Sequence, residues 1–148
     1  MRTLLALVLV AMLSVPAVRG TDKDYTYKKD VQALLKTTYF GFGPVFMTAK
    51  ITEGEAALKR IMKEDDAIKF LFPVFDHGTP EGKCYALIGF RLLAPDYFES
   101  SCKRIARWND SKIKAVSGCI VGDVALAEVV QAIREGRYDD EALGKKKE

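Results

Sequence analysis

The segment GTPEGKCYALIGFRLLAPDYF, residues 78–98, decides how this sequence folds. It has no charged residue between Lys83 and Arg91, although charged residues make up 29% of the chain. Thr79 and Pro80 suit the N-cap and the first residue of a helix, and a second proline ends that helix. A helix that is apolar on nearly all faces needs neighbours on several sides. The segment therefore predicts a central helix with other elements packed around it.

Apolar spacing and capping signals predict two helices earlier in the chain. The first pattern starts near Lys28 and places Leu34 on its apolar face. Thr52 and Glu55 form a capping box, in which a threonine side chain and a glutamate side chain satisfy free backbone N–H groups. The second helix therefore begins at this pair.

Proline and glycine mark the helices that flank the central segment. A third helix is expected to start at Asp65 or Asp66, with Pro73 kinking or shortening it. Gly78 is expected to end it in the left-handed conformation. Pro95 begins the helix that follows the central one. Helices should therefore succeed one another here with almost no linker.

The remaining chain contains two irregular stretches and one last helix. Residues 37–50 are broken by glycines and a proline, which predicts a loop with buried aromatic anchors. Residues 112–122 have no helical period. Asp123 is expected to cap the last helix, and Gly136 to close it. We therefore predict an all-α domain with about five helices in the mature chain.

A repeated sequence pattern suggests how these helices are arranged. Glu53-Gly54 and Glu81-Gly82 each lie just after a threonine and ahead of an apolar helical face. Each unit would be a helix, a tight turn and a second helix. Residues 52–108 resemble the stacked α-hairpins of HEAT-type repeat proteins, which predicts a single domain of stacked helical hairpins.

The N-terminus has the layout of a secretory signal peptide. Residues 1–20 combine an arginine, a short apolar run and small residues before a cleavage position. We expect a secreted or periplasmic protein with a helical domain over residues 21–136 and a charged, mobile tail over residues 137–148. Removing Arg2 and Arg19 from the 23 basic residues leaves 21 against 20 acidic ones. This near-neutral balance gives no argument for nucleic acid as a partner.

Export would place the three cysteines in a compartment where disulfides form. Three thiols allow one bridge and one free thiol, in three possible pairings. We favour Cys84 with Cys119, because that bridge ties an irregular segment to the central helix and closes a long loop. Cys102 is the alternative partner.

The sequence lacks a complete set of residues for catalysis or for a cofactor. His77 is the single histidine, so no histidine-based metal site is predicted. Acidic clusters lie where helix N-termini favour negative charge, and no phosphate-binding glycine motif occurs. Cys119 is the one candidate for a reactive thiol. We therefore expect no cofactor, and these residues favour a non-catalytic protein over an enzyme.

Two groups of residues are candidates for binding a partner. Five cations surround Trp108 in the sequence and could hold an anionic partner; they are Lys103, Arg104, Arg107, Lys112 and Lys114. Glu99, however, is spaced to pair with Lys103 along the helix. The aromatic side chains of the irregular loop could line a ligand groove or fill the core; they are Tyr39, Phe40, Phe42 and Phe46. Both groups stay open as binding sites.

The pattern TPEG-x-x-YAL-x-GF-x-L-x-x-P-x-x-F, followed by SGCIV and a closing VALAEVVQAI helix, resembles a group of short exported bacterial proteins without an assigned activity. The resemblance covers most of the mature chain and implies export and a helical fold. We predict a non-catalytic protein–protein interaction module of the cell envelope or the extracellular space. The alternatives are a small secreted hydrolase using a thiol or carboxylates, and an electrostatic binder of an anionic polymer or lipid surface.

Overall fold

The computed structural model describes residues 22–45, 50–108 and 110–145, with side chains from residue 28 onward. Its helices are α1 (Asp22–Lys36), α2 (Glu53–Ile61), α3 (Ala67–His77), α4 (Pro80–Leu93), α5 (Pro95–Ile105), α6 (Leu126–Arg134) and α7 (Asp139–Ala142). A 3-10 helix, Ala106–Trp108, extends α5, and two strands, β1 (Lys112–Ser117) and β2 (Ile120–Ala125), form an antiparallel sheet. The chain is therefore mostly helical, with one small sheet.

The central position of α4 is confirmed. It contacts α1, α2, α3, α5, α6, α7 and β1. The side chains from Cys84 to Ile88 are fully buried, and so is Phe90. A segment with apolar side chains on every face is stable in water only when neighbours cover all of those faces.

The predicted N-caps of α2 and α4 are present. The Thr52 hydroxyl accepts a hydrogen bond from the N–H of Glu55 at 3.0 Å, and the Thr79 hydroxyl accepts one from Gly82 at 3.1 Å. The carboxylate of Glu55 accepts instead from the N–H of Gly43 at 2.8 Å. Glu55 thereby ties the irregular loop to α2.

Pro73 lies inside α3 and does not shorten it, since the helix continues to His77; a kink at this proline stays a prediction. Two other local predictions, about the end of α3 and the start of α6, were wrong. Gly78 has extended backbone angles, φ −74° and ψ 169°, because the chain leads directly into the Thr79 cap of α4. Asp123 lies within β2, and α6 begins after Ala125 without a side-chain cap. Gly136 does lie directly after the end of α6, as predicted, and has φ +73°.

Residues 112–125 form a hairpin and correct the all-α prediction. Ser117 pairs with Ile120 across a two-residue turn, and Gly118 in that turn has φ +56°. Such tight turns favour glycine because they need positive φ. The helical class holds for the rest of the domain.

The irregular loop contacts the hairpin through its backbone. The N–H of Phe40 donates to the carbonyl of Lys114, and the N–H of Val116 donates to the carbonyl of Phe40, both at 2.8 Å. The Phe40 side chain is 1% exposed, which confirms a buried aromatic anchor in this loop. The loop therefore covers one edge of β1.

Helix α7 lies in the stretch predicted to be a mobile tail. Ala142 is buried, Tyr138 packs on Phe40, and the Asp139 carboxylate accepts from Arg91 at 3.1 Å. The domain boundary at residue 136 stays a prediction, as does the signal peptide, which lies outside the described residues. Within the described ranges, no helix combines the length and apolar character needed to span a membrane.

Candidate functional site

Trp108 occupies an exposed position at the end of the 3-10 helix that follows α5. Its side chain is 45% exposed, although tryptophan is usually largely buried. The Nζ atom of Lys83 lies 4.8 Å from the centroid of the indole ring. This is a cation–π distance, so α4 supports the ring from one side.

Lys83 is a buried cation, 5% exposed, at the start of α4. Its Nζ donates to the carbonyl oxygens of Phe75 at 2.5 Å and Asp76 at 3.0 Å, at the end of α3. A cation is favourable there because the C-terminal carbonyls of a helix carry partial negative charge. Burial lowers the pKa of Lys83, the nearby Asp76 opposes that shift, and Arg104 reinforces it.

Arg104 completes the arrangement from the α5 side. Its guanidinium group lies 5.0 Å from the centroid of the Phe75 ring and donates to the Asp76 carboxylate at 2.8 Å. The charge of Arg104 is therefore already paired within the protein. Lys83 and Arg104 together hold the end of α3 against α4 and α5.

Lys103 and Arg107 are exposed and have no ion-pair partner among the described residues. The predicted pair between Glu99 and Lys103 is not formed; Glu99 instead lies 3.4 Å from Arg134 on α6. Lys103 lies in the last turn of α5, and Arg107 lies in the 3-10 helix that extends it. They are the cations of this region that remain available to a partner.

An apolar groove of about 150 Å³ lies beside Trp108, between α5 and α6. Its lining residues are Cys102, Ile105, Ala106, Trp108, Leu126, Ala127, Val130, Gln131 and Arg134. The groove is too small for a drug-sized molecule but can accept one apolar side chain. We call Lys83, Lys103, Arg107, Trp108 and this groove the Trp108 surface.

The structure separates two other lysines from the Trp108 surface. Lys112 and Lys114 lie on β1 and line a different depression together with Tyr39, Glu81 and Asp123. The N–H of Lys114 also donates to the Glu81 carboxylate at 3.0 Å. Acidic groups therefore offset these two cations locally.

Two aromatic residues of the loop, Phe40 and Phe42, have a structural role, whereas Tyr39 is exposed. Phe40 is buried, and Phe42 is half-buried, 5.5 Å from the Tyr85 ring centroid and 5.4 Å from that of Tyr138. Phe46 lies outside the described residues. Phe40 and Phe42 thus contribute to packing, and neither is among the residues that line a described groove.

All three cysteines are free thiols in the structure. Cys84 and Cys102 are buried, and burial raises the pKa of both thiols. Cys119 is exposed in the turn of the hairpin. The bridge between Cys84 and Cys119 stays a prediction.

His77 is exposed at the last residue of α3, and within the described ranges no cluster of three or more histidine, cysteine, aspartate or glutamate side chains could hold a metal ion. The sequence pattern did identify Lys103, Arg107 and Trp108, but it missed Lys83. The available signal was its position: a lysine in the first turn of an apolar helix opposes the helix dipole and needs a compensating partner.

Comparison of the chain with protein-family models, with curated proteins and with solved structures finds no match.

Proposed function

We propose that this chain is an exported, non-catalytic interaction module that binds an acidic segment of another protein at the Trp108 surface. The observation that carries the proposal is the half-exposed indole of Trp108, backed by the buried cation of Lys83. An aromatic ring held in a fixed position loses little conformational entropy on binding.

The composition of the Trp108 surface favours a protein segment as the ligand. Tryptophan and arginine are the residues most enriched where interface side chains contribute strongly to affinity. The groove beside Trp108 can take one apolar side chain, while Lys103 and Arg107, exposed on the segment that leads to Trp108, can pair with carboxylates. The fitting partner is therefore an acidic segment with a central apolar residue.

Export and the hairpin repeat belong to the same proposal. The signal-peptide pattern of residues 1–20 and the resemblance to short exported proteins support a periplasmic or extracellular location. We propose that residues 52–108, which contain α2 to α5, are two divergent HEAT-like hairpins. Such hairpins commonly present a helical surface to a protein partner.

The test uses Trp108 as its own reporter, because the chain contains one tryptophan. The predicted mature chain, residues 21–148, is titrated with a synthetic peptide that has one leucine flanked by glutamates. We expect a saturable change in Trp108 emission, with an affinity that falls as salt rises because charge pairing is screened. A peptide with glutamines in place of the glutamates should bind much more weakly.

Variants are compared through the anisotropy of a labelled peptide, which needs no tryptophan. Trp108→Ala and the double change Lys103→Glu with Arg107→Glu should each abolish binding. Lys63→Glu is the matched control, since Lys63 is an exposed lysine on the turn after α2, outside the groove. Equal binding of the two peptides, or full binding by the double variant, would exclude the proposal.

A second candidate is electrostatic binding of an anionic polymer, favoured by the unpaired charges of Lys103 and Arg107. A soluble polyuronate added to the same titration separates the two. The polymer would be the favoured ligand if it displaced the labelled peptide and if a peptide without the leucine bound as tightly as the peptide with it. The hydrolase alternative has no geometric support among the described residues.

A further inference from the structure

A second cleft, separate from the Trp108 surface, lies between α1 and two segments that pack beside it. Its volume is about 560 Å³, which is in the range of small-molecule binding sites. The cleft is lined by α1, by residues 37–39 and by residues around Ile51. The cleft shares no lining residue with the groove beside Trp108.

One face of α1 forms a wall of the cleft. Lys29, Gln32, Ala33 and Lys36 all line it and follow the spacing of a single helical face. Lys50 also lines the cleft. None of these three lysines has an ion-pair partner among the described residues. The rim therefore carries three lysines that form no ion pair with the described residues.

Glu53 is the acidic residue among those that line the cleft. Its charge also acts on Arg60, whose pKa is raised chiefly by its hydrogen bond to Asp30, with a smaller contribution from Glu53. Arg60 itself donates to Asp30 and is not among the lining residues. The balance of charge on the cleft rim therefore remains positive.

The cleft combines this rim with apolar surface and with hydroxyl groups. Ala33 and Ile51 contribute apolar surface, and the Ile51 side chain is 42% exposed. Tyr39 is 39% exposed, and its hydroxyl has no hydrogen-bond partner among the described residues. By contrast, the Thr52 hydroxyl is already bonded to Tyr85 at 2.8 Å. Tyr39 can therefore donate to a ligand.

We propose that this cleft binds a small organic anion, with a carboxylate or phosphate head among the lysines and a short apolar group on Ala33 and Ile51. A lysine ammonium is a flexible point charge, so the rim selects charge and does not impose the planar geometry that arginine would. The apolar group is needed because exposed lysines alone bind simple anions weakly.

The test titrates the predicted mature chain with octanoate and octyl phosphate, followed by amide chemical shifts. Acetate lacks the apolar group, and octyltrimethylammonium has the opposite charge, so both serve as ligand controls. We expect saturable shifts at Lys29, Tyr39 and Ile51 with the two octyl anions. Lys36→Glu combined with Lys50→Glu should weaken binding by about tenfold or more.

Lys63→Glu should leave the affinity unchanged, and so should Trp108→Ala, which separates this site from the proposed peptide site. Vesicles of phosphatidylglycerol identify the source of the anion. If the protein sediments with the vesicles and the variant with Lys36→Glu and Lys50→Glu does not, the natural ligand is a lipid head group. If the protein binds the free octyl anions but not the vesicles, the natural ligand is a soluble acid. Equal binding of octyltrimethylammonium, shifts elsewhere in the chain, or no saturation at millimolar concentration would overturn the proposal.

Discussion

The hydroxyl group of Tyr85 holds three segments of the chain together. It donates to the carbonyl of Gly41 at 2.9 Å and accepts from the N–H of Gly41 at 3.0 Å. The Thr52 hydroxyl lies 2.8 Å away, so the N-terminus of α2 joins the same network. Because Tyr85 is fully buried, no water can replace these bonds without a rearrangement of the core.

Replacing Tyr85 by phenylalanine removes one atom and leaves both polar groups of Gly41 without this partner. We expect the free energy of unfolding to fall by about 1–3 kcal/mol, the usual cost of an unsatisfied buried group. Urea denaturation measures the change. Tyr97→Phe is the matched control, because Tyr97 is 49% exposed, and its stability should stay within about 0.5 kcal/mol of the parent. Equal losses in the two variants would contradict this role.

The ionisation of Tyr85 also predicts how stability depends on alkaline pH. Burial raises the pKa of Tyr85 to about 12, and hydrogen bonds to Thr52 and Gly41 oppose that shift. In the unfolded chain the pKa is about 10, so the unfolded state loses its proton first as pH rises. The contribution of Tyr85 to the free energy of unfolding is complete below pH 10 and is lost as the pH rises toward 12. The free energy of unfolding should fall by about 2–3 kcal/mol over this range.

The measurement is the difference in free energy of unfolding between the parent and Tyr85→Phe, followed upward from pH 8. Taking the difference cancels the titration of the lysines and the buried cysteines. The stability advantage of the parent should shrink above pH 10. A difference that is constant with pH would show that Tyr85 ionises equally in both states.

The three cysteines should differ sharply in reactivity. In the reduced, folded protein a thiol-specific reagent should modify Cys119 rapidly. It should modify Cys84 and Cys102 only when the protein unfolds, because these two thiols are buried and burial raises their pKa values. Cys119→Ser should remove the rapid phase. Two rapidly reacting thiols would contradict the burial of α4 and α5. The predicted bridge between Cys84 and Cys119 would be supported if protein isolated from an oxidising compartment had a single free thiol after unfolding, and if that thiol were Cys102.

At the scale of elements, two glycines determine how closely helices approach α4. A Cβ atom on Gly82 would meet the carbonyl oxygen of Leu34 in α1, and one on Gly89 would meet a terminal methyl of Leu71 in α3. The backbone of α1 cannot move without disturbing its packing, whereas a leucine side chain can change rotamer. The two sites should therefore tolerate alanine differently.

We expect Gly82→Ala to lower the free energy of unfolding by about 1–3 kcal/mol, as overpacking usually does. Gly89→Ala should cost less, because the Leu71 side chain that it meets can change rotamer, whereas the gain in helix propensity, up to about 1 kcal/mol, applies at both sites. Gly122→Ala is the control, since nothing lies within 4 Å of the added atom. Thermal or urea unfolding gives all three values. A larger loss for Gly89→Ala than for Gly82→Ala would contradict the close contact between α1 and α4.

The elements that were predicted correctly from the sequence are those whose signals lie within a few neighbouring residues. The caps at Thr52 and Thr79 depend on residues within one helical turn, so a short pattern identifies them. The hairpin was missed because its two buried residues in β1, Ile113 and Val116, are three positions apart and break strand alternation. Its pairing with Phe40 is also distant in sequence and leaves no local pattern.

The same distinction applies to the candidate site. Trp108 and its neighbouring cations are contiguous, so the sequence located them. The contact between Trp108 and Lys83 joins two elements that are distant along the chain, and only the packing of α4 against the end of α5 creates it. The sequence also could not decide whether Phe40 is displayed or buried, because the pairing with β1 determines that.

At the scale of the whole molecule, α4 connects the proposed sites. It carries Lys83, which supports Trp108, and it packs on α1, which forms a wall of the cationic cleft. It also carries Tyr85, which anchors the loop between α1 and α2. We therefore expect α4 to be the most stable element of the domain.

Native-state hydrogen exchange, measured amide by amide, tests this expectation most directly. The slowest-exchanging amides should be those from Cys84 to Phe90, with protection close to the global free energy of unfolding. Amides of β2, whose outer residues are exposed, should exchange much faster. Exchange in α4 as fast as in β2 would contradict a fold built around this helix.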